Sequence, residues 1–210
     1  SMNPIPKRLV RWAKHHSRDL PWRNEPRKPY PVWVSEVMLQ QTQAATVVPY
    51  FVRFVERFPT VNALASASLD DVLKVWEGLG YYSRARNLHQ AARMVVDNYE
   101  GKLPEDPATL RRLPGIGRYT AGAIASIAFG RDEPALDGNI RRVLARAFDV
   151  RQPARSPAGE RVLWELASQN LPAGQAGAYN QAMMDLGATV CTPRTPDCPA
   201  CPLVEICQAH

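Results

Sequence analysis

Two carboxylic acids in this chain stand in settings that suit different work. Glu36 lies within VWVSEVMLQQTQ, where Trp33, Val37 and Leu39 to Gln40 predict a helix with much apolar surface. A carboxyl group there is partly desolvated and its pKa raised, as a general acid requires. The alternative is a solvated helix glutamate. Asp137 lies in PALDGNIRR, just before a helix carrying Ile140, Val143, Leu144 and Ala147. Its alternative role is a helix cap, which also keeps a carboxylate ionised. A proton donor together with a carboxylate that stays charged can break a bond whose leaving group needs a proton while positive charge develops on the atom left behind.

Cys191, Cys198, Cys201 and Cys207 are the four cysteines of the chain, and all fall in its last twenty residues with the spacing Cys-x6-Cys-x2-Cys-x5-Cys. Disulfides serving a whole fold would be spread along the sequence, so a local metal site is the better reading. Four thiolates close such a site unaided; zinc and an iron–sulfur cluster are both open on the residues alone. The first gap carries Arg194, a phosphate contact or a solvated surface arginine.

A third feature is LPGIGRYTAGAI, from Leu113. A short helix over residues 107–112 and another over residues 119–129, with Ala121, Ile124 and Ala128 on one face, are joined by Gly115 and Gly117. The glycines permit positive φ and remove side chains from the turn, leaving N–H groups of the second helix pointing outward. A phosphate can sit on those donors without any base being read. A plain turn is the alternative.

The elements that hold these groups are helical. Val47, Phe51, Phe54 and Phe58 recur at helical spacing before Pro59, as do Leu88, Ala92, Val95 and Tyr99 before Gly101. Ser68 with Asp71, Asp106–Pro107 and Ser156–Pro157 are start signals. Leu163, Leu166 and Ala167 form one apolar face; Tyr179, Met183 and Leu186 form another. The pattern predicts an all-α protein of roughly nine to eleven helices. Met183–Met184 reads as core packing, and His15, His16, His89 and His210 read as surface histidines without ligand spacing.

The chain has 210 residues, a length for one domain or two small lobes. Lysine and arginine number 26 against 20 acids, a formal charge of +6, which fits a polyanion partner or simply a basic protein. No run of eighteen apolar residues and no signal-peptide core occurs, so no membrane role and a cytoplasmic, nucleoid-associated location are expected. Ser1 before Met2 reads as the scar of a cleaved tag.

Across nearly its whole length the chain resembles the MutY family of the helix-hairpin-helix, endonuclease III-like DNA glycosylases. The resemblance rests on LPWR at Leu20, SEVMLQQTQ, PYF, WEGLGYYSRARNLH, LPGIGRYTAGAI, LDGN, RRVLAR, NQAMMDLGA and the cysteines. It implies two helical lobes with the active cleft between them: residues 29–137 as a six-helix barrel with the hairpin, and residues 1–28 with 138–210 as the cluster lobe. A [4Fe-4S] cluster is implied over residues 191–207, structural or redox in role.

The same resemblance implies that Glu36 protonates a departing adenine and Asp137 stabilises, or transiently bonds to, the anomeric carbon, with Tyr119 and Asn139 beside them. Bifunctional relatives carry a lysine at the Tyr119 position, so a monofunctional enzyme is implied. Gln41, Leu79 and Tyr81 are the expected duplex-wedging residues, Gly115, Gly117 and Arg118 the expected backbone contacts, and Trp22, Arg23, Leu39 and Gln181 the surroundings of the extruded adenine.

The implied partner is double-stranded DNA containing a mismatch or oxidised guanine, met by a monomer. Relatives continue past the cluster into a domain that helps to recognise 8-oxoguanine, whereas this sequence stops at His210. A catalytic fragment or a short relative is expected, with selectivity for 8-oxoguanine over guanine open. A thymine glycosylase acting on G:T mismatches is the enzymatic alternative, and a non-catalytic damage-binding or redox-sensing module the other.

Overall fold

The computed structural model describes residues 3–210, so the reading of Ser1 and Met2 lies outside the described residues. Among those residues there are eleven α-helices and no strand. They are α1 (Ile5–His16), α2 (Pro29–Leu39), α3 (Ala44–Arg57), α4 (Val61–Ser66), α5 (Leu69–Trp76), α6 (Tyr82–Tyr99), α7 (Pro107–Leu110), α8 (Arg118–Phe129), α9 (Gly138–Ala147), α10 (Pro157–Gln169) and α11 (Ala176–Thr189), with short 3-10 turns at Pro21–Arg23 and Cys198–Ala200. The all-α expectation holds, and no helix is long and apolar enough to cross a membrane.

Local chemistry sets the helix starts. Ser68 accepts from the Asp71 N–H at 3.1 Å, Asp106 from Thr109 at 3.0 Å and Ser156 from Gly159 at 3.0 Å. Each satisfies one of the donors that a first helical turn leaves without an acceptor. The stops are local as well: α6 ends at Tyr99, followed by Glu100 and Gly101 at φ of 57° and 76°, a left-handed exit that glycine permits cheaply.

The chain divides into two compact units. Asp19–Phe129 holds α2 to α8, with α4 and α5 packed on α6, α3 on α5, and α2 against α3, α6 and α8. Its core is aromatic: Phe54 meets Phe58 and Trp76 edge-on, with ring centroids 5.2 and 5.9 Å apart. α2 has no polar stripe, and every residue from Val32 to Met38 is buried. A helix that is apolar all round belongs inside, and it takes Glu36 with it.

The other unit joins the chain up to Arg18 with Gly130–His210. Here α11 packs against α1 and α9, and α9 also against α10. The close approach of α9 and α11 requires Gly187, where an added Cβ would sit 2.7 Å from the Asn139 Cβ and 3.0 Å from its Cα and carbonyl oxygen. Asp185, wholly buried on α11, is answered by Arg18, whose Nε donates to its carboxylate at 2.5 Å.

Candidate active site

Within Asp19–Phe129, the packing of α2 on α8 brings Glu36 and Tyr119 together. Glu36 is 4% exposed, and the Tyr119 hydroxyl donates to its Oε2 at 2.6 Å. Burial favours the neutral form of a carboxyl group, whereas a donated hydrogen bond favours the charged one. The phenol is thus one polar partner of a carboxyl held within an apolar helix.

The turn before α8 departs from expectation at one glycine. Gly115 has φ of 82° and lies against Asn87, but Gly117 is not left-handed and an added Cβ there would meet nothing within 4 Å. Gly117 is thus not needed for turn geometry; it leaves the surface bare in front of the first turn of α8. Gly115, Gly117 and Arg118 are all exposed. Partial burial and then the neighbouring Arg111 charge lower the Arg118 pKa, so two guanidinium groups crowd a helix N-terminus, where an anion is stabilised.

Gln41 and Tyr81 are exposed, and both are left-handed, at φ of 59° and 50°. Leu79, between Gly78 and Gly80, turns inward at 6% exposure and joins the core. Trp22 is likewise buried, edge-on to Phe51 at 5.4 Å, whereas Arg23 and Leu39 are half-buried.

In the other unit, Asp137 caps α9. Its Oδ1 accepts the Ile140 N–H at 2.7 Å and its Oδ2 the Asn139 amide at 3.3 Å. The cap is present as expected, and it is not the only influence on this carboxylate. Burial pushes its pKa up and outweighs the lowering by the Ile140 N–H, Asn139 and the Arg142 and Arg18 charges. Asn139 is held in turn by Arg142, which donates to its Oδ1 at 3.0 Å, to the Gly187 carbonyl at 2.6 Å and to the Cys191 carbonyl at 2.8 Å. Sequence reading missed Arg142, although its place one turn after Asn139 on a capped helix was a usable signal. Gln181 is half-buried on α11 in this same unit.

The four cysteines are free and half-buried. Arg146 donates to the Cys191 Sγ at 3.4 Å, and the Leu203 N–H to the Cys201 Sγ at 3.4 Å. Burial raises the Cys201 pKa, the Leu203 N–H lowers it, and Cys191, Cys207 and Cys198 are each near enough to raise it further. Among the described residues no three or more metal-ligating side chains gather tightly enough for a single ion. Cys201 with the other three thiols around it, and with N–H and guanidinium donors on sulfur at Cys201 and Cys191, is a donor set that fits an anionic group larger than one ion. Arg194 is exposed.

The reading of His89 as a surface histidine is corrected. It is 4% exposed, with Nε2 2.8 Å from the Ala67 carbonyl, a tie between α6 and the end of α4. His15, His16 and His210 are exposed, and Met183 is buried as expected.

Comparison with known proteins places this geometry in context. Residues 34–169 match the model of the HhH-GPD superfamily base excision DNA repair proteins. The chain is 49% identical to the adenine DNA glycosylase of Rattus norvegicus over 97% of its own length and 41% of the relative's. It is 43% identical to that of Mycolicibacterium smegmatis over 96% of its own length and 68% of the relative's. The chain thus spans about two-fifths of the mammalian relatives it matches. Among solved structures, a thermostable thymine-DNA glycosylase superposes with a TM-score of 0.87 at 29% identity, covering 97% of this chain and 94% of that one. A trapped endonuclease III–DNA covalent intermediate gives 0.81 at 25% identity, covering 98% and 93%.

Proposed function

Because the chain belongs to the HhH-GPD superfamily of base excision DNA repair proteins, we propose that it is a monofunctional DNA glycosylase that hydrolyses the N-glycosidic bond of adenine mispaired with 8-oxoguanine or guanine. The observation that carries this reading is the buried Glu36 carboxyl with the Tyr119 phenol on its Oε2 at 2.6 Å, in a chain about half identical to mammalian adenine DNA glycosylases. By the family resemblance, Tyr119 stands at the position where bifunctional relatives carry a lysine, and its phenol lies against the proton-donating acid.

In this reading Glu36, in its neutral form, gives a proton to a ring nitrogen of the extruded adenine, so that the base departs uncharged. Asp137, in its ionised form, offsets the positive charge that grows on the anomeric carbon, or bonds to it until water arrives. Asn139 holds Oδ2 of that carboxylate, and Arg142 holds Asn139. Tyr119 has no amine with which to form a Schiff base, so the sugar is left as an abasic site and the strand intact.

Gln41 and Tyr81 enter the duplex where the base has left, and Leu79, buried in the core of the same unit, is assigned to the same wedge. Gly115, Gly117 and Arg118 take a phosphate, and Trp22, Arg23, Leu39 and Gln181 are assigned to the adenine pocket. Cys191, Cys198, Cys201 and Cys207 would hold a [4Fe-4S] cluster, which supplies a cross-link for the loop and a redox-active centre when bound.

We assign residues 29–137 as a six-helix barrel with the hairpin, and residues 1–28 with 138–210 as the cluster lobe. This functional partition differs from the compact units, which part at Arg18 and at Phe129. The protein acts as a monomer on double-stranded DNA and is nucleoid-associated in the cytoplasm.

A second reading, a thymine glycosylase on G:T mismatches, draws on the likeness to the thermostable thymine-DNA glycosylase. The test is base release from duplexes carrying adenine or thymine opposite guanine or 8-oxoguanine, with strands examined before and after alkali. Adenine release with strands cut only after alkali is the expected result. Thymine release in its place establishes the second reading, and binding without any release leaves a non-catalytic module.

A further inference from the structure

Arg84, the third residue of α6, is 7% exposed, and both its terminal nitrogens reach other segments. One terminal nitrogen donates to the carbonyls of Val37 at 3.2 Å, Met38 at 2.6 Å and Gln40, the last turn of α2 and its cap. The other donates to the Thr42 hydroxyl and the Gly80 carbonyl, each at 3.3 Å. The guanidinium carbon lies 5.6 Å from the Trp76 ring and 5.1 Å from the Tyr81 ring. Only a planar fork with five donors meets so many acceptors at once. These carbonyls lie at the C-terminus of α2, the negative end of its dipole, and the Val37 carbonyl takes the Gln40 N–H at 3.3 Å as well.

What this guanidinium holds is strained. Gln41 and Tyr81, each adjacent to one of the carbonyls it binds, are non-glycine residues at φ of 59° and 50°. Such residues persist where the surroundings over-determine them. Both are exposed, Tyr81 at 57%, and the Tyr81 ring packs against the Arg84 guanidinium itself. Gln40 extends the connection: its amide donates to the Gly115 carbonyl at 3.3 Å and to the Thr120 hydroxyl at 3.2 Å. The turn at Gln41, the turn at Gly80–Tyr81 and the hairpin at Gly115 are thereby joined through two side chains within one compact unit.

We propose that Arg84, with Gln40, is a positioning residue that locks these three turns into one rigid edge, preformed to enter a duplex and extrude its target base. The inference rests on the glycosylase reading but concerns extrusion, a step separate from bond cleavage. It divides the labour within the unit: Arg84 governs how fast the base leaves the stack, and Glu36 what happens to it afterwards.

The test uses the full chain and two variants, Arg84→Lys and Gln40→Ala, with circular dichroism to monitor the fold. Extrusion is followed by stopped-flow fluorescence of 2-aminopurine in place of the target adenine. Single-turnover base release is compared between a paired duplex and one whose target adenine faces an abasic-site analogue, where less stacking opposes extrusion. Arg84→Lys should slow the fluorescence rise and release from the paired duplex by about tenfold or more, the scale of one unsupported left-handed residue. Release from the unopposed adenine should stay within about threefold, a split that a purely structural defect does not give. Gln40→Ala should show the same split more weakly.

Equal loss on both substrates, or no loss on either, overturns the proposal. If Arg84→Lys does not fold, Gln40→Ala decides by the same ratio. A wild-type protein that releases no base but gives the fluorescence rise sinks the glycosylase reading while the variants still read extrusion; no rise in the wild type sinks the proposal itself.

Discussion

The hydroxyl of Tyr119, on the first turn of α8, donates to Oε2 of Glu36 on α2 at 2.6 Å. This one bond joins the acid of the proposed reaction to the residue that decides whether the reaction stops at the sugar. Removing the acid while keeping its shape isolates its role. Glu36→Gln should retain helical structure and mismatch binding but lose base release by about 10²- to 10⁴-fold, the usual share of a positioned proton donor, measured by single-turnover kinetics.

Replacing the phenol should change the outcome as well as the rate. Tyr119→Lys places an amine beside Glu36, and an amine at that position can attack the sugar. The expected result is β-elimination without alkali, with a Schiff base trapped by borohydride; normal base release with neither product counts against the monofunctional assignment.

Asp137 should reveal its surroundings through pH. Burial holds its folded-state pKa above the unfolded value, so the native state binds more protons between the two values. Stability therefore falls as pH rises through that window and stays low above it. Asp137→Asn, which keeps a capping side chain, should be more stable than wild type at neutral pH, with the difference vanishing below the ordinary carboxylate range. Thermal unfolding from acid to neutral pH measures this. Base release, which needs the ionised form, should show an acid limb displaced upward from a normal aspartate.

Gly187→Ala should be costly for a residue that changes by one methyl group. The new Cβ would meet the Asn139 Cβ at 2.7 Å and its backbone at 3.0 Å, so α9 and α11 must part. Overpacking of this kind costs about 1–3 kcal/mol, visible as a lowered Tm. Base release should fall further than binding, because Asn139 holds the Asp137 carboxylate.

How far the sequence foretold this arrangement depended on the reach of each interaction. The caps at Ser68, Asp106 and Ser156 were legible because cap and partner lie three residues apart. Glu36 was legible as a buried acid because apolar residues surround it along α2. The partner of His89 was not, since Ala67 lies twenty-two residues away and no local pattern encodes that pairing. The same holds for Arg84, an unremarkable helix arginine until the fold brings the end of α2 and the Gly80 turn to it. Gly117 was misjudged for a different reason: a glycine that allows a turn and one that merely clears a surface look alike in a string of letters.

The compact unit that contains α1 also requires α9, α10 and α11, which are encoded more than a hundred residues later. During synthesis, then, Asp19–Phe129 can collapse around its aromatic core while α1 still waits on the ribosome's schedule for its partner α11. Of the two acids in the proposed reaction, Glu36 belongs to the unit completed early and Asp137 to the unit completed late. A nascent chain with α11 not yet emerged therefore holds only the first of them in a finished unit.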